Sequence, residues 1–271
     1  MVCGVIQARV FATRLPGKTL KEIAGKSLLA WTILAAQACP SVDRVIVATS
    51  TSDQDTPVVE EAHNYGAEVY RGDEDDVLAR YVSAARDLNL DVIVRICGDA
   101  PVFSPWVCHG IVQEYCASGM DYASNTSEET FPYGTQVEIF NGEVLQRSWE
   151  LADLSTDHEH VTPPLRRHPE VFSCLSVVAP EPIRRGHYRL CVDTQQDYEV
   201  VCEIFKQLDH EPDQPPDLVE IVALLDSRPD LTEHMVAVSQ RYSTSRDTEL
   251  AAPTVELSLA YRDEFYEMTR G

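Results

Sequence analysis

Val45-Ile46-Val47-Ala48 and Val92-Ile93-Val94 are uninterrupted apolar runs, and they decide the fold class. A strand with one wet face alternates apolar and polar side chains, whereas a strand covered by helices on both faces is apolar throughout. Both runs are as short as buried strands and too short for core helices. They therefore predict parallel strands in the middle of a covered sheet.

Outward from these two runs, apolar stretches alternate with helical patterns over the first 96 residues. The order is strand, helix, strand, helix, strand, helix, strand, and the stretches are 2–8, 28–38, 44–49, 57–65, 68–71, 77–88 and 92–96. Strands that alternate with helices of this length are typical of βαβ units. The pattern predicts a Rossmann-like α/β fold with a mainly parallel sheet and helices on both faces.

The regular alternation of predicted strands and helices ends after about residue 122. A strand is predicted at 137–140 and a helix at 142–151, followed by a Pro/His/Arg-rich connection, so we expect residues 125–170 to leave the sheet as an excursion. Strands at 172–178 and 188–192 and helices at 196–208 and near 218–225 then return to the sheet. We expect one domain over residues 1–235 and a tail of unknown role over 236–271, helical near 261–268.

Composition narrows the possible partners and location. The 271 residues include 22 Lys+Arg and 44 Asp+Glu, a net charge of -22, which repels nucleic acid and anionic membranes. No apolar run approaches the roughly 20 residues that span a bilayer, and the N-terminus lacks the features of a signal peptide. The eight cysteines include no Cys-x-x-Cys pair. We therefore expect reduced thiols and a cytoplasmic protein without nucleic-acid or membrane partners.

The first predicted strand runs into a basic loop, Gln7-Ala8-Arg9-Val10-Phe11-Ala12-Thr13-Arg14-Leu15-Pro16-Gly17-Lys18. Arg9, Arg14 and Lys18 lie within ten residues of one another. Ligands of α/β sheets bind beyond the carboxyl ends of the strands, so this loop is placed to hold a polyphosphate. It is neither a Walker A loop nor a G-x-G-x-x-G turn, so side chains must supply the charge. A solvated basic loop is the alternative.

Two later strands are predicted to end in an aspartate. The first runs into Gly98-Asp99-Ala100-Pro101, and the second ends at Asp193 just before a helix. Two carboxylates beside a polyphosphate are the ligands that Mg²⁺ prefers, together with phosphate oxygens and water. Gly, Asp and Pro also form turns, which is the plainer interpretation of the first motif. Thr194 and Asp197 fit a capping box, so we expect Asp197 to cap the helix.

Taken together, these segments resemble the acylneuraminate/Kdo cytidylyltransferase family, most closely its spore-coat polysaccharide SpsF-like branch. The resemblance covers roughly residues 1–235 and extends through Ala48-Thr49, Arg71-Gly72-Asp73-Glu74-Asp75-Asp76-Val77-Leu78, Phe131-Pro132-Tyr133-Gly134 and Glu159-His160-Val161-Thr162-Pro163. This chain departs from the family pattern at Ala12, where the family has Ser, and at Cys97, where it has Thr. Gln7 stands where the sialate and Kdo enzymes have Pro, which leaves the identity of the acid open.

The resemblance implies a nucleotidyltransferase of GT-A-like fold, in which a hydroxyl of an acidic sugar attacks the α-phosphorus of CTP and pyrophosphate leaves. It implies Mg²⁺ on Asp99 and Asp193, with Arg9 and Lys18 completing the catalytic set. The implied nucleotide-binding residues are Gln7, Ala8, Arg9, Arg14, Lys18, Ala48, Thr49, Ser50, Arg71, Gly98 and Asp99. The implied acceptor-binding residues are Arg95, Tyr133, Gln136, Glu138, Arg166 and Arg167. A homodimer through the excursion is also implied, with a basic residue among Arg166, Arg167 and His168 reaching the neighbouring subunit's substrate.

Other interpretations stay open at this point. A glycosyltransferase shares the fold and uses an Asp-x-Asp metal site, which Asp73-Glu74-Asp75 and Asp53-Gln54-Asp55 both match, although both precede helices, where acidic residues are favourable in any case. A cytidylyltransferase that acts on a phosphonate and a non-enzymatic nucleotide-binding domain are further alternatives. His158-Glu159-His160 could suggest zinc, but histidines two apart do not share a helix face.

Overall fold

A computed structural model describes residues 1–12, 14–233, 235 and 252–269 of the chain. Its central sheet has eight strands over those residues, in the order β10-β9-β7-β8-β6-β1-β4-β5. The strands of this sheet are β1 (Val2–Gln7), β4 (Arg44–Ser50), β5 (Glu68–Gly72), β6 (Val92–Cys97), β7 (Tyr122–Ser124), β8 (Glu138–Asn141), β9 (Cys174–Val178) and β10 (Thr254–Glu256). Two short strands, β2 (Glu22–Ile23) and β3 (Lys26–Ser27), form a separate antiparallel pair.

Helices cover both faces of the sheet, and two hydrophobic clusters fill the space between helices and strands. The helices are α1 (Leu28–Ala38), α2 (Thr56–Asn64), α3 (Val77–Asp87), α4 (Pro105–Ser118), α5 (Gly142–Glu150), α6 (Ser155–His160), α7 (Pro163–Arg167), α8 (Gln195–Gln207), α9 (Leu218–Ser227) and α10 (Ala260–Thr269). None of the helices within the described ranges is long and apolar enough to cross a bilayer.

The prediction of a mainly parallel, covered sheet is confirmed. β1 lies between β4 and β6 and pairs in parallel with both, and Ile46 and Val94 of the two flanking strands are fully buried. Only β8 runs antiparallel to its neighbours in the sheet, β6 and β7, over the described residues. Because the parallel strands end at one edge, the loops after β1, β4 and β6 meet there.

Two local predictions differ from the structure, and one long helix has no counterpart among the predicted elements. Residues 138–141, within the expected excursion, form β8 in the middle of the sheet. The expected strand at 188–192 is an extended segment whose one bridge within the described chain joins Tyr133 to Arg189. Helix α4 was not predicted, because buried residues surround it on nearly every side and leave no clear amphipathic period.

The described part of the tail packs onto the domain. β10 pairs in parallel with β9 and so extends the sheet. α10 packs on α4, where a Cβ on Gly110 would lie 2.7 Å from the Tyr261 ring. Tyr266 donates a 2.9 Å hydrogen bond to Asp217 at the start of α9. The rest of the tail, 236–251 and 270–271, lies outside the described residues.

Candidate active site

Gly98 determines where Asp99 lies. Its amide donates a 2.9 Å hydrogen bond to the carbonyl oxygen of Gln7, at the end of β1. A Cβ at this position would lie 2.9 Å from both that oxygen and the Cβ of Ala8, which is closer than real side chains approach. Glycine is therefore required for the end of β6 to run against β1. The next residue, Asp99, consequently emerges beside the basic loop.

Asp193 reaches the same place from a distant part of the sequence. The amide of Val192 donates to the carbonyl of Asp99 at 3.0 Å, which ties the segment before α8 to the end of β6. The predicted capping box is confirmed: the Thr194 hydroxyl accepts from the Asp197 amide at 3.2 Å, and Asp197 Oδ2 accepts from the Thr194 amide at 2.8 Å. The cap fixes the start of α8 and leaves the Asp193 side chain directed at the basic loop.

Lys18 lies between the two aspartates. Its Nζ is 2.6 Å from Asp99 Oδ2 and 2.6 Å from Asp193 Oδ1. Arg14 Nη2 lies 3.2 Å from Asp193 Oδ2, and Arg189 also contacts that oxygen. Burial alone would raise the pKa of Asp193, but the charge and hydrogen bond of Lys18, with the two arginines, hold that pKa below its ordinary value. The pKa of Lys18 is raised, because the two carboxylates outweigh the effect of its burial.

Arg9, the third cation of the loop, points away from this cluster. Its Nη1 donates a 2.7 Å hydrogen bond to the carbonyl of Glu74, in the loop between β5 and α3. Arg9 and the exposed Phe11 form a partition between two cavities. The Asp99 cavity, of about 240 Å³, is lined by Gln7, Ala8, Arg9, Phe11, Lys18, Thr19, Val77, Arg80, Cys97, Gly98, Asp99, Glu159 and His160.

The second cavity, here called the Asp55 cavity, has a volume of about 340 Å³ and is lined by Arg9, Phe11, Ser52, Gln54, Asp55, Glu74 and Asp75. Asp55 is buried and accepts from the Val10 amide at 2.7 Å and from the Ser50 hydroxyl at 2.5 Å. It thereby ties the start of the basic loop to the end of β4.

The side chains of Ala48, Thr49 and Ser50, implied to bind the nucleotide, are fully buried. Arg71, implied to bind nucleotide, donates to the Ser50 and Ser52 carbonyls at 2.9 and 2.5 Å. These residues build the wall behind the Asp55 cavity, and the following residues Ser52 and Gln54 line it.

Three of the implied acceptor residues form a buried ionic network behind the Asp99 cavity. Glu138 contacts Arg95 through one carboxylate oxygen, and its other oxygen lies 3.4 Å from Arg166 Nη1. The second oxygen also accepts from the hydroxyls of Tyr122 at 2.6 Å and Thr162 at 2.5 Å. Burial opposes ionisation of Glu138, yet the charges of Arg95 and then Arg166 keep its pKa below the ordinary value. Glu138 is therefore ionised at neutral pH.

The other implied acceptor residues are spread more widely. Tyr133 stacks under Arg189, whose guanidinium carbon is 4.9 Å from the ring centroid, and Gln136 accepts from the Gly134 amide at 2.7 Å. Arg167 is in a different environment from the site: its Nη1 and Nη2 each lie 2.7 Å from an oxygen of the buried Asp157. Its pairing with Asp157 fixes the start of α6.

In each Asp-x-Asp motif, one carboxylate accepts hydrogen bonds from the protein itself. Asp73 accepts from the amides of Asp75 and Asp76 at 3.0 and 2.8 Å, and these bonds lower its pKa. Asp55 is committed to the bonds described above. For His158, Nδ1 lies 2.6 Å from Asp76 Oδ2. Among the described residues, no three His, Cys, Asp or Glu side chains are arranged to hold a metal.

Two arginines at the site were missed by sequence reasoning. Arg189 is buried against Asp193, and Arg80 is buried beside the Asp99 cavity, donating to the Asp73 carbonyl at 2.8 Å. Burial and then the nearby Arg9 charge lower the pKa of Arg80. A Cβ on Gly72 would lie 2.9 Å from the Arg80 side chain. The Arg-Gly pair at 71–72 was therefore the available signal, since a glycine in a strand marks a close approach.

Comparison with known proteins identifies the family. A family model described as cytidylyltransferase matches residues 3–220. The spore coat polysaccharide biosynthesis protein SpsF of Bacillus subtilis is 33% identical over 231 residues, which cover 83% of this chain and 94% of that protein. A cytidylyltransferase structure from Leptospira borgpetersenii superposes with a TM-score of 0.80 at 26% identity, covering 85% of this chain and 96% of that one. A CMP:2-keto-3-deoxy-manno-octonic acid synthetase complexed with CTP shares the fold, with a TM-score of 0.58 at 19% identity over 76% of this chain and 98% of its own. With a matching family model over most of its length, this chain belongs to the cytidylyltransferase family and is a nucleotidyltransferase that transfers CMP from CTP.

Proposed function

We propose that the enzyme transfers CMP from CTP to a hydroxyl of an acidic sugar of the nonulosonate or Kdo type. The acceptor oxygen forms a bond to the α-phosphorus, and the bond from that phosphorus to the bridging oxygen of the β-phosphate breaks. Pyrophosphate leaves, and the hydroxyl proton passes to solvent. The observation that carries the proposal is the convergence of Lys18, Asp99 and Asp193 from three separate parts of the chain.

The charged residues that line the Asp99 cavity support its assignment as the binding site of two anionic substrates, the triphosphate and the acid. Arg9, Lys18 and Arg80 line it against two carboxylates, Asp99 and Glu159, so it carries net positive charge in a chain of net charge -22. A local field of opposite sign to the rest of the protein attracts anions to that place. We assign Arg9, Arg14 and Lys18 to the triphosphate.

The Asp55 cavity has the opposite balance, with Arg9 against Asp55, Glu74 and Asp75. Acidic and carbonyl oxygens suit a neutral group that donates hydrogen bonds, and the amino group of cytosine is such a donor. We assign this cavity to the base. Ser52 and Gln54 then contact the base directly, and the buried residues 48–50 act as their support.

The donor set at Asp99 and Asp193 fits Mg²⁺, which takes one or two carboxylates together with phosphate oxygens and water. A cation, the Lys18 ammonium, already lies within 2.6 Å of both carboxylates, which supports this assignment. The metal supplies neutralisation of the triphosphate when bound. Lys18 and Arg14 hold the phosphate oxygens, and Asp193 is oriented by Arg189.

A homodimer in the cytoplasm is part of the proposal. We assign the interface to the segment 125–170 on the family resemblance, and Leu154, which is 46% exposed at the start of α6, lies in that segment. The molar mass in solution, measured by light scattering, tests it. A monomer at micromolar concentration would contradict this part alone.

The deciding experiment is a screen for pyrophosphate release. CTP and the other nucleoside triphosphates are each offered with sialic, legionaminic and Kdo-type acids and with phosphonates, in the presence of Mg²⁺. We expect release with CTP and one of the sugar acids. If only a phosphonate supports release, the acceptor is a phosphonate and not a sugar acid. If none of the tested acids supports release, the proposal is refuted. The Asp99→Asn variant, assayed in parallel, shows whether the release depends on this site.

A further inference from the structure

Gln7, the last residue of β1, has only half of its side-chain amide committed. Its Oε1 accepts a 3.2 Å hydrogen bond from Arg95 Nε. Among the residues that the structure describes, none accepts a hydrogen bond from Gln7 Nε2. The side chain lines the Asp99 cavity, together with Asp99 and Lys18. The uncommitted amide group therefore lies at the wall of the site.

The orientation of this amide is fixed by chemistry. An ionised carboxylate only accepts hydrogen bonds and a guanidinium only donates them. Glu138 therefore accepts from Arg95, and Arg95 must in turn meet an acceptor on Gln7, which can only be Oε1. A flipped amide would set two donors against each other. Gln7 thus offers Nε2 to a ligand, with two N–H donors and no acceptor.

The charge behind Gln7 favours an anion as that ligand. Two arginines, Arg95 and Arg166, share the single carboxylate of Glu138, so this buried network retains one positive charge. A donor backed by an uncompensated positive charge binds a carboxylate better than a neutral oxygen. The Asp55 cavity, with its excess of carboxylates, would repel the same group.

We propose that Gln7 is a binding residue for the acceptor and donates through Nε2 to its carboxylate, while Arg95 and Glu138 are positioning residues that orient the amide. This inference rests on the proposed function, because it takes the acceptor to be an acid. It differs from the sequence-based assignment of Gln7 to the nucleotide. It also gives Arg95 an indirect role in place of direct contact with the acceptor.

The test uses two variants and one control. Gln7→Glu keeps an acceptor for Arg95 but replaces the donors by a carboxylate, and Gln7→Met keeps the length and removes all polar atoms. Gln113→Glu makes the same charge change at an exposed position on α4. The KM values for CTP and for the acid that turns over fastest are measured for each full-length variant, with the thermal midpoint as a check on folding.

A hydrogen bond to a charged group is worth a factor of about ten or more in affinity. We expect Gln7→Glu and Gln7→Met to raise the KM for the acid by at least about tenfold. Gln7→Met adds no charge to the cavity and should keep the KM for CTP within about twofold of wild type, and Gln113→Glu should change neither KM. A rise in the KM for CTP alone would assign Gln7 to the nucleotide and overturn the inference. Unchanged KM values would overturn it as well. If the wild type uses no acid, the proposed function fails and this inference fails with it; if the wild type uses an acid that Gln7 does not sense, only the inference fails.

Discussion

The two aspartates at the site have different surroundings. We therefore predict that replacing them has similar effects on enzyme activity but different effects on the stability of the fold. Asp99 is 27% exposed and its one ion pair within the described chain is with Lys18. Asp193 is 14% exposed and pairs with Lys18, Arg14 and Arg189. Replacing each by Asn removes one charge at constant shape. We expect both variants to lose activity and only one to lose much stability.

The stability difference follows from the partners left behind. Asp193→Asn removes the Asp193 carboxylate from the buried Arg189, and breaking a buried pair costs about 3–5 kcal/mol. Asp197 remains 3.3 Å from Arg189 Nε, so we take the lower end, about 3 kcal/mol. In Asp99→Asn, Lys18 keeps Asp193 as a partner at 2.6 Å, and a partly exposed pair is worth about 1 kcal/mol or less. At about 2 °C per kcal/mol for a chain of this size, the melting temperatures fall by about 6 °C and 2 °C.

The loss of activity has a separate cause. The proposed function assigns each carboxylate to the metal, and the loss of one charge-stabilising group typically costs at least about a hundredfold in turnover. Pyrophosphate release under saturating CTP measures this loss. Binding of Mn²⁺ in the presence of CTP, followed by electron paramagnetic resonance, gives a readout that needs no acceptor. Both variants are expected to weaken that binding.

The exposed Asp209, with no hydrogen-bond partner among the described residues, supplies the matched control. Asp209→Asn should leave turnover, Mn²⁺ binding and melting temperature unchanged. Turnover above about a tenth of wild type in Asp99→Asn would refute the metal assignment. Equal melting temperatures for the Asp99 and Asp193 variants would refute the account of Arg189.

Three further outcomes are expected. Gly134 has φ 110° and a Cβ there would lie 2.4 Å from a backbone nitrogen, so Gly134→Ala should lower the free energy of unfolding, measured in urea, by at least about 2 kcal/mol. The control Gly119→Ala, where φ is 66° but no atom lies within 4 Å, should cost about 1 kcal/mol. Equal costs would show that the close approach at Gly134 is relieved by movement. Burial raises the pKa of Cys97 to about 11 from the ordinary 9.0, so iodoacetamide at pH 8 should modify this thiol about a hundredfold more slowly than an unperturbed thiol. Mass spectrometry should find the exposed Cys116 labelled first. The pKa of Asp193 in the folded protein lies below its ordinary 3.8, so the stability that its ion pairs contribute is present above pH 3.8 and is lost as the pH falls through the folded-state pKa. The acid unfolding curves of wild type and Asp193→Asn should therefore converge below pH 3.8. Curves that stay parallel would contradict this expectation.

The sequence was informative where local pattern and general sheet geometry suffice. Apolar runs identified β1, β4 and β6, and the rule that ligands bind beyond the carboxyl ends of parallel strands was enough to bring Lys18 and Asp99 together. Asp193 was placed with them through a predicted strand that does not form. The placement still holds, because the extended segment before Asp193 is hydrogen-bonded to Asp99 itself, as a strand would have been.

The sequence was uninformative where a residue's role depends on partners far along the chain. Arg95 and Glu138 are 43 residues apart, and only the antiparallel β8 brings them into register. Arg9 was grouped with Lys18 because the two are close in sequence, yet its guanidinium turns to Glu74, 65 residues away. Spacing along a loop specifies which charges are near one another, but the direction of each side chain is set by which carbonyls and carboxylates surround it.

Lys18 connects the stability of the site with its chemistry. Without a cation between them, Asp99 and Asp193 would repel each other, and the end of β6 and the start of α8 would be held near each other against that repulsion. The Lys18 ammonium, 2.6 Å from each, makes the pair tolerable before any ligand binds. With Arg14 and Arg189 counted, three cations face Asp99, Asp193 and Asp197, so the cluster is close to neutral in a chain of net charge -22. A divalent cation bound by the two carboxylates would free the Lys18 ammonium to pair with phosphate oxygens. The negative charge of a bound nucleotide would then replace the carboxylates as the partner of Lys18. The same lysine thus accounts for a preassembled site and, under the proposed function, for one that takes metal and nucleotide together.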